Sequence, residues 1–392
     1  MDSNNPAQRL HALDNLRALM MWLGIVIHSA ENYFLRDSPI PWRDGHPTVV
    51  ADALVAFIHA FRMPVFFIIA GFFAAMLLQS RGPAGMARHR ALRLGLPFAV
   101  FWFPVFVASA ICAFAFMHLM VYGTWGLDPA LVQQYQPKPE MPDVPRGPNT
   151  MHMWFLWMLL WMNLAAALLA RIVPEQWWTA PKQALRRIAG AWWGPFVLAI
   201  PLVATDINYP QGFMFPSGAF LPAPAEWVHH GLFFVVGLAM YGVREELFAV
   251  YERRWKTLTA IGLLSFVAAG GALESHRTLL FTFAYGLTSW LWAFALLGIG
   301  LKWMASRSAA LAYLSESSYW VYLVHFPLTI GFGALLYTAD LPGVVKMLLV
   351  IAATTATCLA TYHAFVRFTW VSVMLNGKRH SRTPVPPALT PA

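Results

Sequence analysis

Ten apolar runs divide this chain, and each is long enough to cross a hydrocarbon layer once ragged ends are allowed for. They lie at roughly 16–35, 52–79, 91–121, 151–170, 190–205, 227–243, 257–273, 278–301, 310–337 and 344–366. The fifth is the shortest and carries Pro195 and Pro201. Charged residues make up 11% of the chain and hydrophobic residues 58%, whereas a soluble domain is usually about 25% charged. The expectation is an all-α fold: a polytopic membrane helical bundle of about ten transmembrane helices.

The charges indicate which way such a bundle sits. An even number of spans puts both termini on one side. If that side is cytoplasmic, the outer loops and span interiors hold only Arg36, Arg43, Arg62, Lys138, Arg146, Arg277 and Lys346 of the 27 Lys and Arg. The remaining 20 fall at the inner ends and loops, the asymmetry expected when basic loops stay inside. This predicts cytoplasmic N- and C-termini. It also accounts for the +9 net charge through topology and contacts with membrane lipids, with no call for nucleic acid. The first apolar run is too long for a signal-peptide core and lacks a small-residue cleavage site. Cys112 and Cys358 sit in apolar runs and read as space-filling residues.

Residues 1–370 read as a single integral-membrane domain and 371–392 as a disordered cytoplasmic tail. Two expected outer loops, 122–150 and 206–226, are long and rich in proline and aromatics, as covers over a site are. No parallel or inverted repeat of the kind common in transporters is visible.

The chemistry-bearing residues sit inside the runs. Arg17 and His28 are eleven helical steps apart, which returns them to within about 20° of one face and about 16 Å apart along the axis. Asp14 falls near the same stripe, paired i,i+3 with Arg17. Ionisable groups are costly in hydrocarbon, so such a stripe marks a water-filled path or reaction centre. A neutral imidazole at His28 suits a general base. Arg62, two residues before Pro64, should face the same interior, unless it simply pairs with Asp52. His325 is a second buried histidine. His152, Trp154 and Trp157 open the fourth run as an interfacial belt or a platform for a sugar ring. Glu226 and His230 are i,i+4 at the outer end of the sixth run and could pair toward an acceptor. Arg88, Arg90 and Arg93, with Arg17, offer positive charge to phosphates at the inner mouth. There is no HExxH, CxxC or P-loop motif.

Four pieces in order resemble the membrane-bound acyltransferase-3 family: Arg17-x10-His28, FRMPVFFIIAGFF at 61–73, HMWFLWMLL at 152–160 and YWVYLVHFPLT at 319–329. The last three look more like its branch implicated in succinylating osmoregulated periplasmic glucans. The resemblance implies transfer of an acyl group, succinyl in that branch, from cytoplasmic acyl-CoA to hydroxyls of a periplasmic glucan. It implies roles for Arg17 and His28, and less directly for Asp14, Arg62 and His325. Ala70 departs from the family, which commonly has serine before the following glycine.

The resulting reading has His28, Arg17, Asp14 and Arg62 as catalytic residues, and Arg17, Arg88, Arg90, Arg93 and His325 as donor-binding residues. His152, Trp154, Trp157, Glu226 and His230 would bind the acceptor. No cofactor or metal is bound permanently; succinyl-CoA or another acyl-CoA is a co-substrate. Self-association as a homo-oligomer is left open. A proton-coupled transporter or a glycan flippase would show similar buried charges without making a bond.

Overall fold

The computed structural model describes residues 6–38, 40–135, 147–306 and 308–381. Among these, all regular structure is helical. The helices are α1 (Pro6–Ala30), α2 (Val49–Arg90), α3 (Leu96–Tyr122), α4 (Ala130–Gln134), α5 (Trp154–Ile172), α6 (Glu175–Gly190), α7 (Gly194–Asp206), α8 (Pro224–Met240), α9 (Arg244–Glu274), α10 (Thr278–Trp303), α11 (Ala309–Leu336), α12 (Gly343–Thr361) and α13 (Trp370–Asn376). Every apolar run of the sequence falls on one of them or on an adjoining π or 3₁₀ turn. Lys138, Arg146, Arg307 and Arg382, the middle of the first long loop and the tail from 382 lie outside the described residues.

Among the described residues, seven helical stretches are long and apolar enough to cross a membrane. Helices α6 and α7, bent by 116° at their junction, make an eighth if they are taken together. Two of the seven are far longer than one crossing requires. The stretch 49–122 holds 74 residues, which as one straight helix would measure about 110 Å. It breaks at Gly82, whose φ of +68° is open to glycine without a Cβ penalty. Pro83 follows, lacking the N–H a continuous helix would use. The stretch 224–274 holds 51 residues and joins α8 to α9 through a 3₁₀ turn.

Helix α1 packs against α2, α10, α11 and α12, and α2 packs along α8 and α5. The α2–α8 crossing relies on two glycines. A methyl on Gly71 would collide with the Phe234 carbonyl, and one on Gly237 with the Ile68 carbonyl. Small residues permit this close approach where hydrophobic driving force between helices is weak.

Of the cations that break the basic-loop pattern, three among the described residues have tertiary partners. Arg36 pairs with Glu274, and Arg62 donates to the Met20 carbonyl at 2.9 Å. Lys346 is wholly buried and donates to both oxygens of buried Asp44 at 3.0 Å and to the Tyr337 carbonyl at 3.1 Å. This pair ties the α1–α2 connector to α12. Lys346→Ala leaves the Asp44 carboxylate buried without its counter-ion, so a loss of about 3–5 kcal/mol is expected. A thermal midpoint unchanged from wild type in detergent would contradict this.

Residues 371–381 are ordered, in contrast to the disordered tail expected from 371. Ser372 and Leu375 of α13 are buried, Arg93 donates to the Val373 and Met374 carbonyls at 2.9 and 3.0 Å, and Lys378 and His380 reach back to Glu316. The backbone carbonyls at the end of α13 are thus satisfied by a distant arginine, a contact that local composition does not reveal.

Candidate active site

Three histidines from three helices converge. His28 stands near the end of α1, His152 in the 3₁₀ turn before α5, and His325 within α11. Ring centroids are 5.2 Å apart for His28 and His325, 5.3 Å for His152 and His325, and 6.4 Å for His28 and His152. Phe326 lies 4.9 Å from His28 and stacks on His152 at 4.8 Å. His28 therefore faces protein, not lipid. His152, read from sequence as an interfacial residue, is 6% exposed and belongs to this cluster.

The hydrogen bonds determine where each imidazole carries its proton. The Nδ1 of His28 lies 2.7 Å from Oε2 of Glu31, and both side chains are largely buried. A carboxylate only accepts, so in the neutral ring Nδ1 carries the proton and Nε2 keeps its lone pair. His325 donates from Nδ1 to the Val321 and Tyr322 carbonyls, each at 2.9 Å. Its Nε2 is buried and unpartnered. His152 donates from Nε2 to the Tyr322 carbonyl at 3.2 Å, which leaves its buried Nδ1 unpartnered. Pro327 lacks the N–H that would bond Leu323 within the helix, and His152 lies against that carbonyl as well. The cluster thus presents two buried imidazole nitrogens without partners, Nδ1 of His152 and Nε2 of His325, beside the Nε2 of His28. Unmet buried acceptors are costly unless a donor reaches them, and a substrate hydroxyl is such a donor.

Arg62 is 5% exposed and lies against α1 at Gly24. A methyl there would sit 2.8 Å from Nη2 of Arg62 and 3.0 Å from Nε2 of His325. The missing side chain allows a guanidinium and a bare imidazole nitrogen to meet the same spot on α1, one turn before His28. Arg62 makes no pair with Asp52, whose carboxylate instead accepts from the Leu35 and Arg36 amides at 3.0 and 3.2 Å.

At the basic end of the bundle a cavity of about 470 Å³ opens between α1, α2, α5, α11 and α13. Asp14, Arg17, His89, Arg90, Arg93, Glu316 and Lys378 line its polar part, and Ala70 is also in its wall. Asp14 and Arg17 pair at 3.2 Å. Both stand at this mouth: Asp14, fourteen residues from His28, is about 21 Å from it along the axis. Arg90 has buried Nε and Nη2 atoms without partners, and so has His89 at Nδ1. Arg93 lines the cavity while capping α13, and Arg88 is not among the lining residues. With Arg17, Arg90, Arg93 and Lys378 facing only two carboxylates, the cavity suits an anion.

The cavity wall ends about one helical turn short of the segments that carry Arg62, His152 and Tyr322, none of which lines it. Its lining includes Phe66, Leu156 and Tyr319. Each is three or four residues, about one helical turn, from Arg62, His152 and Tyr322 respectively. The Tyr322 hydroxyl bridges the remaining step, donating to the His152 carbonyl at 3.0 Å and accepting from the Leu156 amide at 3.4 Å.

The expected acceptor residues are otherwise engaged. Trp154 packs on His230 at 5.0 Å, and Phe67 stacks on the same imidazole at 4.8 Å. Trp157 stacks on Phe98 at 4.7 Å and donates to the Phe220 carbonyl at 2.7 Å. The Glu226–His230 pair is not formed. Glu226 accepts from the Ser217 amide at 2.9 Å, and both nitrogens of buried His230 are without partners. His229 takes the carboxylate partner instead, Asp206 at 2.8 Å. These contacts order the second long loop, which also meets the first where Thr150 bonds the Gly218 carbonyl. Sequence reading overlooked Glu31 and Tyr322. Glu31 was within reach, because i,i+3 spacing from His28 places it on the same face. Tyr322 had no local signal.

No group of three or more His, Cys, Asp or Glu side chains fit to hold a metal ion occurs among the described residues. A family model for an acyltransferase domain matches residues 10–363. The glucans biosynthesis protein C of Salmonella schwarzengrund (strain CVM19633) is 24% identical over 397 residues, covering 96% of this chain and 97% of its own. The protein of that name from Escherichia coli (strain SMS-3-5 / SECEC) is 25% identical over 349 residues, 84% of each chain. No solved structure matches this chain.

Proposed function

The chain belongs to the acyltransferase domain family, and on that premise we propose that it moves an acyl group, succinyl by analogy with its relatives' branch, from cytoplasmic acyl-CoA to a hydroxyl of a periplasmic glucan. The observation that carries this reading is the His28–Glu31 pair, set among His152, His325 and Arg62 within about one helical turn of a basic cavity. In this reading the stretches 49–122 and 224–274 each cross the inner membrane twice and α6–α7 once. Ten spans result, with both termini cytoplasmic and the basic cavity opening inward.

Coenzyme A is too polar to cross, so it docks at that mouth, with Arg17 and Arg90 meeting its phosphates. The thioester end extends past Tyr322 to the histidines. The hydroxyl oxygen of the acceptor attacks the thioester carbonyl carbon while His28 Nε2 takes the hydroxyl proton. Arg62 steadies the negative charge on the carbonyl oxygen. As the carbon–sulfur bond breaks, the imidazolium returns the proton to the departing sulfur, leaving ester and free CoA thiol. Glu31 holds the ring in the productive tautomer and stabilises the imidazolium, as the carboxylate of a catalytic triad does.

Incubating purified protein with acyl-labelled succinyl-CoA and glucan tests the reading. Ester-linked label on the glucan is expected. Flux of substrate into liposomes with no label transferred would assign the protein to carriers instead. Glu31→Gln keeps an acceptor for His28 Nδ1 but removes the charge. A charge-assisted hydrogen bond contributes about 1.5–3 kcal/mol, so kcat is expected to fall about 10–100-fold with KM little changed. Unaltered kcat would leave Glu31 with a purely structural place.

A further inference from the structure

Lys378 is an unusual member of the cavity wall. It lies beyond α13, within the stretch expected to be a free tail, yet it lines the cavity together with Asn376 and Leu375. Three contacts fold it back. Asn376 donates to the Glu316 carbonyl at 2.9 Å, Lys378 meets Oε1 of Glu316 at 2.5 Å, and His380 meets Oε2 at 2.8 Å. A Cβ on Gly377, at φ +80°, would run into the Arg93 guanidinium that caps α13.

Glu316 therefore ends with both oxygens taken by cationic or hydrogen-bonding groups of the C-terminal segment, inside a cavity where cations outnumber carboxylates. The Glu316 side chain is 15% exposed and that of Lys378 is 59% exposed. One partner is fixed in the wall and the other is free to swing on a flexible stem. The arrangement matches a cation shared between an internal carboxylate and an external anion. Arg90, with its two buried unpartnered nitrogens, and Arg17 line the same cavity and supply the rest of an anion site.

We propose that Lys378 is a phosphate-binding residue of the donor site, and that Glu316 competes with the donor phosphate for it. The proposal rests on the donor reading of the cavity given above. The C-terminal segment is then a functional wall of the site, and the donor binds by exchanging one ion pair for another. Deleting Glu316's charge releases Lys378 to the ligand, whereas deleting Lys378 removes one contact to phosphate only.

Direct binding of unacylated coenzyme A and of pantetheine, which lacks the nucleotide and its phosphates, to the full chain in detergent separates the possibilities. Lys378→Ala is expected to weaken coenzyme A binding about tenfold, the loss of roughly one charge-assisted contact, with pantetheine binding unchanged. Glu316→Gln is expected to tighten coenzyme A binding several-fold, and Lys378→Ala should abolish that gain in the double variant. Equal affinity of wild type and Lys378→Ala for coenzyme A would overturn the proposal while leaving the donor reading intact. Parallel weakening toward both ligands would overturn it too, since that pattern signals a disturbed cavity. Failure of the wild type itself to bind coenzyme A would instead remove the donor reading, and this inference with it.

Discussion

His28→Ala is expected to lower acyl transfer by about 10²–10⁴-fold, the usual contribution of a positioned general base, without unfolding the protein. The ring stands at the end of α1 and is partly exposed, with a side-chain accessibility of 16%. Its one hydrogen bond is to Glu31. Alanine there leaves a small space beside Phe326, and the Glu31 carboxylate can turn toward water. The neighbouring His325 and His152 are poor replacements, because the N–H of each meets a neutral backbone carbonyl of α11 where that of His28 meets the Glu31 carboxylate, so neither ring has a charge to stabilise its imidazolium. The measurement is kcat with saturating acyl-CoA and glucan, alongside the gel-filtration profile and thermal midpoint. A monodisperse His28→Ala protein with wild-type kcat would take His28 out of the chemistry.

Arg62→Ala is expected to cost about 10²–10³-fold in kcat, the scale of one lost oxyanion donor in a dry site. Arg62 is 5% exposed and holds the Met20 carbonyl through Nε. Its remaining N–H groups lie near Gly24 and the bare Nε2 of His325. The guanidinium is planar and fork-shaped, so Arg62→Lys keeps the charge but not the geometry. Lysine should restore folding where alanine weakens it, yet recover only part of the rate. The two variants together separate a buried structural cation from a catalytic one. Full kcat in a stable Arg62→Lys protein, with alanine merely unstable, would assign Arg62 to structure.

How much of this was legible in the sequence depends on the range of the interaction. Apolar length is a local property, so the runs appear as helices α1 to α12, apart from α4 and the amphipathic α6. The Arg17–Asp14 pair and the separation of Arg17 from His28 follow from helical geometry on one helix, and both hold. The convergence of His28, His152 and His325 depends on how α1, α5 and α11 pack, which spacing within one helix cannot report. The same limit explains the misreading of His152 as interfacial and of Glu226–His230 as a pair. In the second case the Ser217 amide takes the Glu226 carboxylate, and His230 is left without a hydrogen-bond partner. Lys346 and Arg62 broke the charge pattern because each is buried with a tertiary partner. In a membrane chain, basic residues that defy the topology rule are therefore good markers of interior contacts. The ordering of 371–381 was missed for a similar reason, since its partners Arg93 and Glu316 lie on other helices.

The central claim is that a thioester entering at the basic mouth meets an acceptor hydroxyl from the opposite side at His28. Proteoliposomes with the chain in one orientation test it directly. Labelled succinyl-CoA is supplied only on the side of Arg17 and Arg90, and glucan only on the other. Ester-linked label on the glucan across the sealed bilayer is the predicted result, lost in His28→Ala. Label that appears only when donor and acceptor share one compartment would contradict the account.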